Sequence, residues 1–222
     1  MKKNLIVFGG TSGLGKALCD KYTADVDNSP YQFIYPIGSS IVNLADDECS
    51  DVLDKIFDEV PPDDLIFFSN FTINGFLHKQ SVHDIEMQIK TNILGGTLVI
   101  NKALQLMRKR KYGRIIIASS IVEEKTVGGT SIYAACKGYY ETFVKNIACE
   151  NAALGITANC LKLGYMDGGL TYTHLTDEFR KSIVNEIPSK RLGSIDELYS
   201  SINFLIGNEY VNGSIIRIAG GL

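Results

Sequence analysis

Short apolar runs that end in glycine or serine alternate along this chain with stretches in which apolar residues recur every three or four positions. "NLIVFG" (residues 4–9), "YQFIYPIG" (31–38), "DDLIFFSN" (63–70), "GRIIIASS" (113–120), "GITANCLKLG" (155–164) and "GSIIRIAGG" (213–221) read as strands, most of them buried on both faces. Between them, Leu14, Ala17, Leu18 and Tyr22 fall on one helical face, as do Val52, Leu53, Ile56, Phe57 and Val60. The spacing predicts further helices over about 81–109, 133–153 and 194–205. Strands alternating with helices over the whole length predict an α/β fold, a Rossmann-like doubly wound parallel sheet in three α/β/α layers. No linker, repeat or low-complexity tract divides the chain, so residues 1–222 read as a single domain. The longest departure from the alternation, about residues 165–190, is polar and reads as a lid over the carboxyl edge of the sheet, where such folds bind ligands.

Two local patterns carry candidate chemistry. "GGTSGLG", with Gly9, Thr11, Ser12, Gly13, Leu14 and Gly15, joins the first strand to the first helix. Glycines there permit positive φ, and free N–H groups at a helix start favour a phosphate. The first gap is one residue longer than in the usual G-x-G-x-x-G fingerprint, so the pattern fits either a phosphate cradle or a tight turn. In "YAACK", Tyr133 and Lys137 stand four apart, on one face of a helix, with Ser120 thirteen residues before the tyrosine. Such a pair arises easily by chance in a chain with 11 tyrosines and 22 basic residues.

Composition narrows the function classes. The net charge is −3 and the only basic run, "RKRKYGR" (108–114), reads as a solvated helix end and turn, not as a nucleic-acid patch. Five cysteines without a Cys-x-x-Cys pair, and His78, His83 and His174 without ligand spacing, argue against a disulfide framework and a metal site. No apolar run approaches membrane-spanning length, and "MKKNLIVFGG" has too short an apolar stretch for a signal peptide. A soluble cytoplasmic protein is the expectation.

Taken together, the motifs resemble the short-chain dehydrogenase/reductase family from residue 4 onward. The matching pieces are the glycine turn, "TNILGG" (91–96), "IIIASS" (115–120), "YAACK" (133–137), "NCLKLG" (159–164), "PSKRLG" (188–193) and "VNGSIIRIAGG" (211–221). The resemblance implies an NAD(P)-dependent oxidoreductase that interconverts a ketone and a secondary alcohol by hydride transfer. It makes Asn92, Ser120, Tyr133 and Lys137 the catalytic tetrad. Tyr133 would be the general acid or base, its phenol lowered from a pKa of about 10 by the neighbouring Lys137 ammonium together with the positive nicotinamide of the oxidised cofactor. Ser120 would bond the substrate oxygen, Lys137 the nicotinamide ribose, and Asn92 a water in a proton relay. Ser119 and Cys136 read as structural neighbours.

The same resemblance implies a cofactor wall of Gly9, Thr11, Ser12, Gly13, Leu14, Gly15, Gly38, Ser39, Ser40, Asn43, Leu44, Ser69, Asn70, Phe71, Gly164 and Met166, with Tyr133 and Lys137. Several positions depart from the family pattern. "SNFT" stands where Asn-Ala-Gly is usual, so Phe71 replaces a glycine. "LG" (163–164) replaces Pro-Gly, and Gly168 stands where a threonine is usual, leaving Thr171 or Thr173 to take over its contact. "GSSIVNL" (38–44) leaves no room for the helix usual after the second strand. No acidic residue stands at 36–40 to read a ribose 2′-hydroxyl, and Ser39 and Ser40 could donate to a 2′-phosphate, so the balance leans to NADP over NAD. Asp167, Thr171, Tyr172, Thr173 and His174 hint at a sugar or other hydroxylated substrate. A 3-oxoacyl-carrier-protein reductase, with the basic run attracting an acidic carrier, is the alternative enzyme, and an NAD(P)-sensing protein without turnover is the alternative of another class. The family also implies a homodimer or homotetramer through the helices at 91–109 and 133–153.

Overall fold

The computed structural model describes residues 3–25, 29–168 and 176–222. Six strands form one parallel sheet in the order β2-β1-β3-β4-β5-β6: β1 (Lys3–Phe8), β2 (Tyr31–Ile37), β3 (Asp64–Phe67), β4 (Gly113–Ser120), β5 (Ile156–Leu163) and β6 (Ile215–Ile218). All five pairings are parallel, so every connection crosses over a sheet face, and the helices cover both faces. On one face Ile6, Phe8, Leu65, Phe67, Ile115 and Ile117 pack against α2 (Cys49–Glu59), α4 (Gly96–Arg110) and α5 (Ser131–Asn151). On the other, Leu5, Val7, Ile66, Ile116 and Leu161 pack against α1 (Gly13–Ala24) and α7 (Ile195–Gly207). Alternate residues of each strand thus feed opposite cores, which is why the runs read as continuously apolar.

The chain order reverses at β1, between β2 and β3, and the carboxyl ends of β1, β3 and β4 open the crevice in which ligands bind in such sheets. Residues 38–48 form turns, with the N–H groups of Ile41 and Val42 both donating to the Gly38 carbonyl. β2 is therefore an edge of the sheet, and the helix that follows is α2. The predicted lid holds α6 (Asp177–Glu186). Its residues Thr171, Tyr172, Thr173 and His174 lie outside the described residues.

The helix predicted over 81–109 is three pieces. Ser81 starts α3 (Val82–Ile89) with a reciprocal capping box to Asp84. Residues Lys90–Gly95 then form a π-helical turn before α4 resumes. Tertiary contacts place it there: a Cβ on Gly95 would lie 2.5 Å from the Leu44 carbonyl oxygen, and one on Gly96 would lie 1.9 Å from the Tyr140 hydroxyl.

The basic run at 108–114 is more than a solvated helix end. Arg114 is 2% exposed and donates to the carbonyls of Ile206 (3.2 Å) and Gly155 (2.8 Å) and to Glu209 (2.6 Å). Arg108 bonds Asn151, and Arg110 pairs with Asp63 at 3.6 Å. The run also lies at the start of β4, roughly 25 Å along an eight-residue strand from Ser120 at its end.

Candidate active site

β4 delivers Ser120 to the carboxyl edge of the sheet, and α5 begins eleven residues later, at Ser131, with Tyr133 and Lys137 on its buried side. Ser120 beside the Tyr133 phenol favours phenolate, but burial dominates and pushes the phenol above its ordinary value. Ser120 Oγ also accepts the Val122 N–H at 3.2 Å, fixing its direction. The Lys137 ammonium lies 5.6 Å from the Tyr133 ring centroid and donates to the Ala118 carbonyl at 2.9 Å. Its side chain is nearly enclosed, and burial pulls its pKa from the usual 10.5 down to about 8. The predicted lowering of the phenol by the ammonium is therefore not made by these two side chains alone. Lys137 points beneath the ring to Ala118, and burial weakens its own charge.

Asn92 sits in the π turn and is 2% exposed. Its amide grips both backbone groups of Phe71: Nδ2 donates to the Phe71 carbonyl at 2.5 Å, and Oδ1 accepts the Phe71 N–H at 2.8 Å. Its backbone carbonyl accepts the Tyr140 hydroxyl, leaving only the second lone pair for the expected relay water. Cys136 also bonds Asn92, and burial pushes its thiol up, as befits a packed residue rather than a nucleophile. All four tetrad positions thus meet around the first three turns of α5.

The predicted cofactor wall comes together at the same edge. Gly9 (φ +79°) and Gly13 (φ +51°) take left-handed backbone, and a Cβ on Gly15 would lie 2.2 Å from the Gly9 carbonyl oxygen. Ser12 begins α1 without a side-chain cap, so the first-turn N–H groups keep their donor capacity. Thr11 Oγ1 presses on Gly38, where a Cβ would be 2.1 Å away. Beside this turn, Asn70 Oδ1 is buried without a hydrogen-bond partner, and Ser69 lies against Gly9. An orphaned acceptor next to an uncapped glycine turn fits a nucleotide that donates hydroxyls and presents phosphates. A separate cleft of about 200 Å³ is lined by Ser39, Ser40, Asn43, Asp46 and Glu48 among others.

Other members of the predicted wall are also engaged within the protein. Asn43 is held by Asp46 (2.7 Å) and by the Ala45 N–H (3.2 Å), and Leu44 is buried against Gly95. The Met166 side chain is buried against Gly193, leaving its backbone at the edge, and Gly164 abuts Ala219. Phe71 keeps its ring 37% exposed while its backbone is clamped to Asn92.

Sequence reasoning missed an ionic cluster beside Ser120. Lys162 on β5 is 5% exposed and pairs with Glu123, Glu124 (2.5 Å) and Glu141 (3.0 Å). Glu141 accepts the Ser119 hydroxyl at 2.8 Å, and Glu124 also meets Arg217 at 2.7 Å. These acids hold the Lys162 pKa above its ordinary value despite burial. The signal was present: a lysine in the middle of the buried strand "NCLKLG".

Comparison with known proteins agrees with this geometry. A family model described as "Enoyl-(Acyl carrier protein) reductase", of the short-chain dehydrogenase class, matches residues 45–222. The chain belongs to the short-chain dehydrogenase/reductase family. The 3-oxoacyl-[acyl-carrier-protein] reductase MabA of Mycobacterium tuberculosis is 26% identical, aligned over all of this chain and 93% of that protein. The 3-oxoacyl-[acyl-carrier-protein] reductase FabG of Escherichia coli is 28% identical, over 99% of this chain and 97% of its own. Among solved structures, a small-chain dehydrogenase in complex with NADPH superposes with a TM-score of 0.83 at 21% identity, covering 100% of this chain and 98% of its own. A putative betaketoacyl-ACP reductase gives 0.82 at 21%, covering 99% and 97%. The doubly wound fold is that of the family, and the chain is an NAD(P)-dependent oxidoreductase acting on a carbonyl or its alcohol.

Proposed function

We propose that this chain reduces the 3-keto group of an acyl thioester, with NADPH as the donor. The observation that carries the substrate class is an apolar rim of two loops. Phe76, Leu77 and Val127 are exposed, the Gly75 N–H donates to the Gly129 carbonyl at 2.9 Å, and a Cβ on Gly128 would lie 3.4 Å from the Phe76 ring. Both loops adjoin the site, one between Phe71 and α3, the other between Ser120 and Tyr133. An acyl chain suits such a rim better than a sugar does. The polar lid gives no counterweight: Asp167 pairs with Arg180 at 3.2 Å, and residues 171–174 are outside the described residues. The full-length similarity to two 3-oxoacyl reductases supports the same reading.

In this reading Ser120 donates to the substrate carbonyl oxygen and Tyr133 gives that oxygen its proton as charge develops there. Lys137 would bond the ribose hydroxyls and supply the positive charge and proton that restore the phenol through them. Asn92 fixes the Phe71 wall, and the glycine turn with the α1 amides takes the pyrophosphate. When bound, reduced nicotinamide supplies the hydride. Ser39 and Ser40 serve the adenosine ribose end. Residues 1–222 act as one domain with the lid at about 165–190, in a reducing compartment such as the cytoplasm, where the five free cysteines stay unpaired. Assembly into a homodimer or homotetramer through α4 and α5 completes the reading, and light scattering of the purified chain tests it.

NADPH consumption with acetoacetyl-pantetheine beside a panel of keto-sugars tests the function. Thioester-dependent oxidation is the expected result. Turnover of a keto-sugar alone overturns the substrate class, and NADPH binding without any turnover favours the sensor alternative.

A further inference from the structure

Tyr140 is a buried phenol that the proposed reaction does not use. It is 1% exposed, seven residues after Tyr133 and three after Lys137 on the same side of α5. Its ring packs on Phe67 (centroids 5.7 Å), Tyr139 (5.3 Å) and Phe143 (6.4 Å), and its hydroxyl donates to the Asn92 carbonyl. A carbonyl cannot donate, so the direction of that bond is fixed. The partner element is built to receive it. Gly96 carries no Cβ where one would lie 1.9 Å from the phenol oxygen, and the π turn places the Asn92 carbonyl beside it. Beyond that carbonyl, the Asn92 amide bonds both the N–H and the carbonyl of Phe71.

We propose that Tyr140 is a positioning residue: through Asn92, its hydroxyl ties the Phe71 segment of the cofactor wall to the helix that carries Tyr133 and Lys137. The path is short and contiguous, from Tyr140 Oη to the Asn92 carbonyl, then from the Asn92 amide to Phe71. Each link is a hydrogen bond to a buried group whose loss leaves a polar atom unsatisfied. Phenylalanine at 140 keeps the ring and its packing and deletes only the first link. The inference rests on the reading of this edge as the cofactor and catalytic site, but the tie itself can be measured without turnover.

The test is Tyr140→Phe in the intact chain, followed by amide hydrogen exchange and by steady-state kinetics. The expected result is a selective rise in exchange at Phe71 and Ile73, by about tenfold, with β1 and β4 protected as in the parent. Turnover should fall about tenfold with the ketone KM within about twofold, as for a small displacement of reacting groups. Unchanged exchange at Phe71, or protection lost equally across the strands, overturns the proposal, the second because it marks plain core packing. If Tyr140→Phe does not fold, Gly96→Ala decides by the same exchange pattern, since its methyl drives the phenol off the carbonyl. If the parent reduces no ketone, the functional reading fails alone, and the exchange measurement still decides the role of Tyr140.

Discussion

The Lys137 ammonium lies under the Tyr133 ring and donates to the Ala118 carbonyl, not to the phenol oxygen. Lys137 is thereby held in a place where its charge is costly, and burial brings its pKa to about 8. Between that value and about 10.5 the unfolded chain binds more protons than the folded one, so this group makes stability rise with pH across that window. Below it, both states are protonated and the full cost of burial remains. Lys137→Met should therefore raise the melting temperature at pH 7 while abolishing turnover. The gap to the parent should narrow as the pH approaches 10, and thermal melts at several pH values check it.

Ser120 is aimed by its bond from the Val122 N–H and stands beside the Tyr133 phenol. Alanine there removes a donor to the developing oxyanion without disturbing the glycine turn. Turnover should fall by about 10²-fold or more, while NADPH titrates as in the parent. Loss of both together would mean that Ser120 holds the cofactor side, contrary to its assigned role.

How much was legible beforehand follows from which interactions are local. "GRIIIASS" reads as a strand because both its faces are buried, and it is β4 with the same ends, Gly113 and Ser120. Tyr133 and Lys137 were legible because helical periodicity needs no partner. The π turn was not, since nothing within "KTNILG" separates it from an ordinary turn; Leu44 and Tyr140, 48 residues on either side, impose it. Arg114 read as one basic residue among several, yet its partners Ile206 and Glu209 lie more than 90 residues away. Likewise the ammonium of Lys137 follows the Ala118 carbonyl, a choice that helical spacing alone could not reveal.

The Lys162 cluster offers a test of how the Ser120 segment is held. Its ammonium is buried among Glu123, Glu124 and Glu141, and Glu141 in turn grips Ser119. Lys162→Met strands the Glu141 carboxylate in a nearly enclosed place, and the expected cost is about 3 kcal/mol in denaturant unfolding. Adding Glu141→Gln should recover part of that loss, because the two residues share one interaction. Strictly additive losses in the double variant would show that the pair is not coupled.

The cleft proposed for the adenosine end presents Ser39 and Ser40 as hydroxyl donors but also Asp46 and Glu48, and among the described residues no lysine or arginine lines it. A 2′-phosphate bound there would face like charge, whereas a 2′-hydroxyl would not. Asp46→Asn removes one such charge and keeps a side chain able to bond Asn43, its present partner at 2.7 Å. At a partly exposed site one charge is worth about 0.5–1 kcal/mol, so NADPH should tighten roughly two- to fivefold while NADH is unaffected. The gain should shrink in high salt, where the repulsion is screened. Parallel fluorescence titrations at low and high ionic strength check this, and equal changes for both cofactors would place the 2′ position elsewhere than beside Asp46.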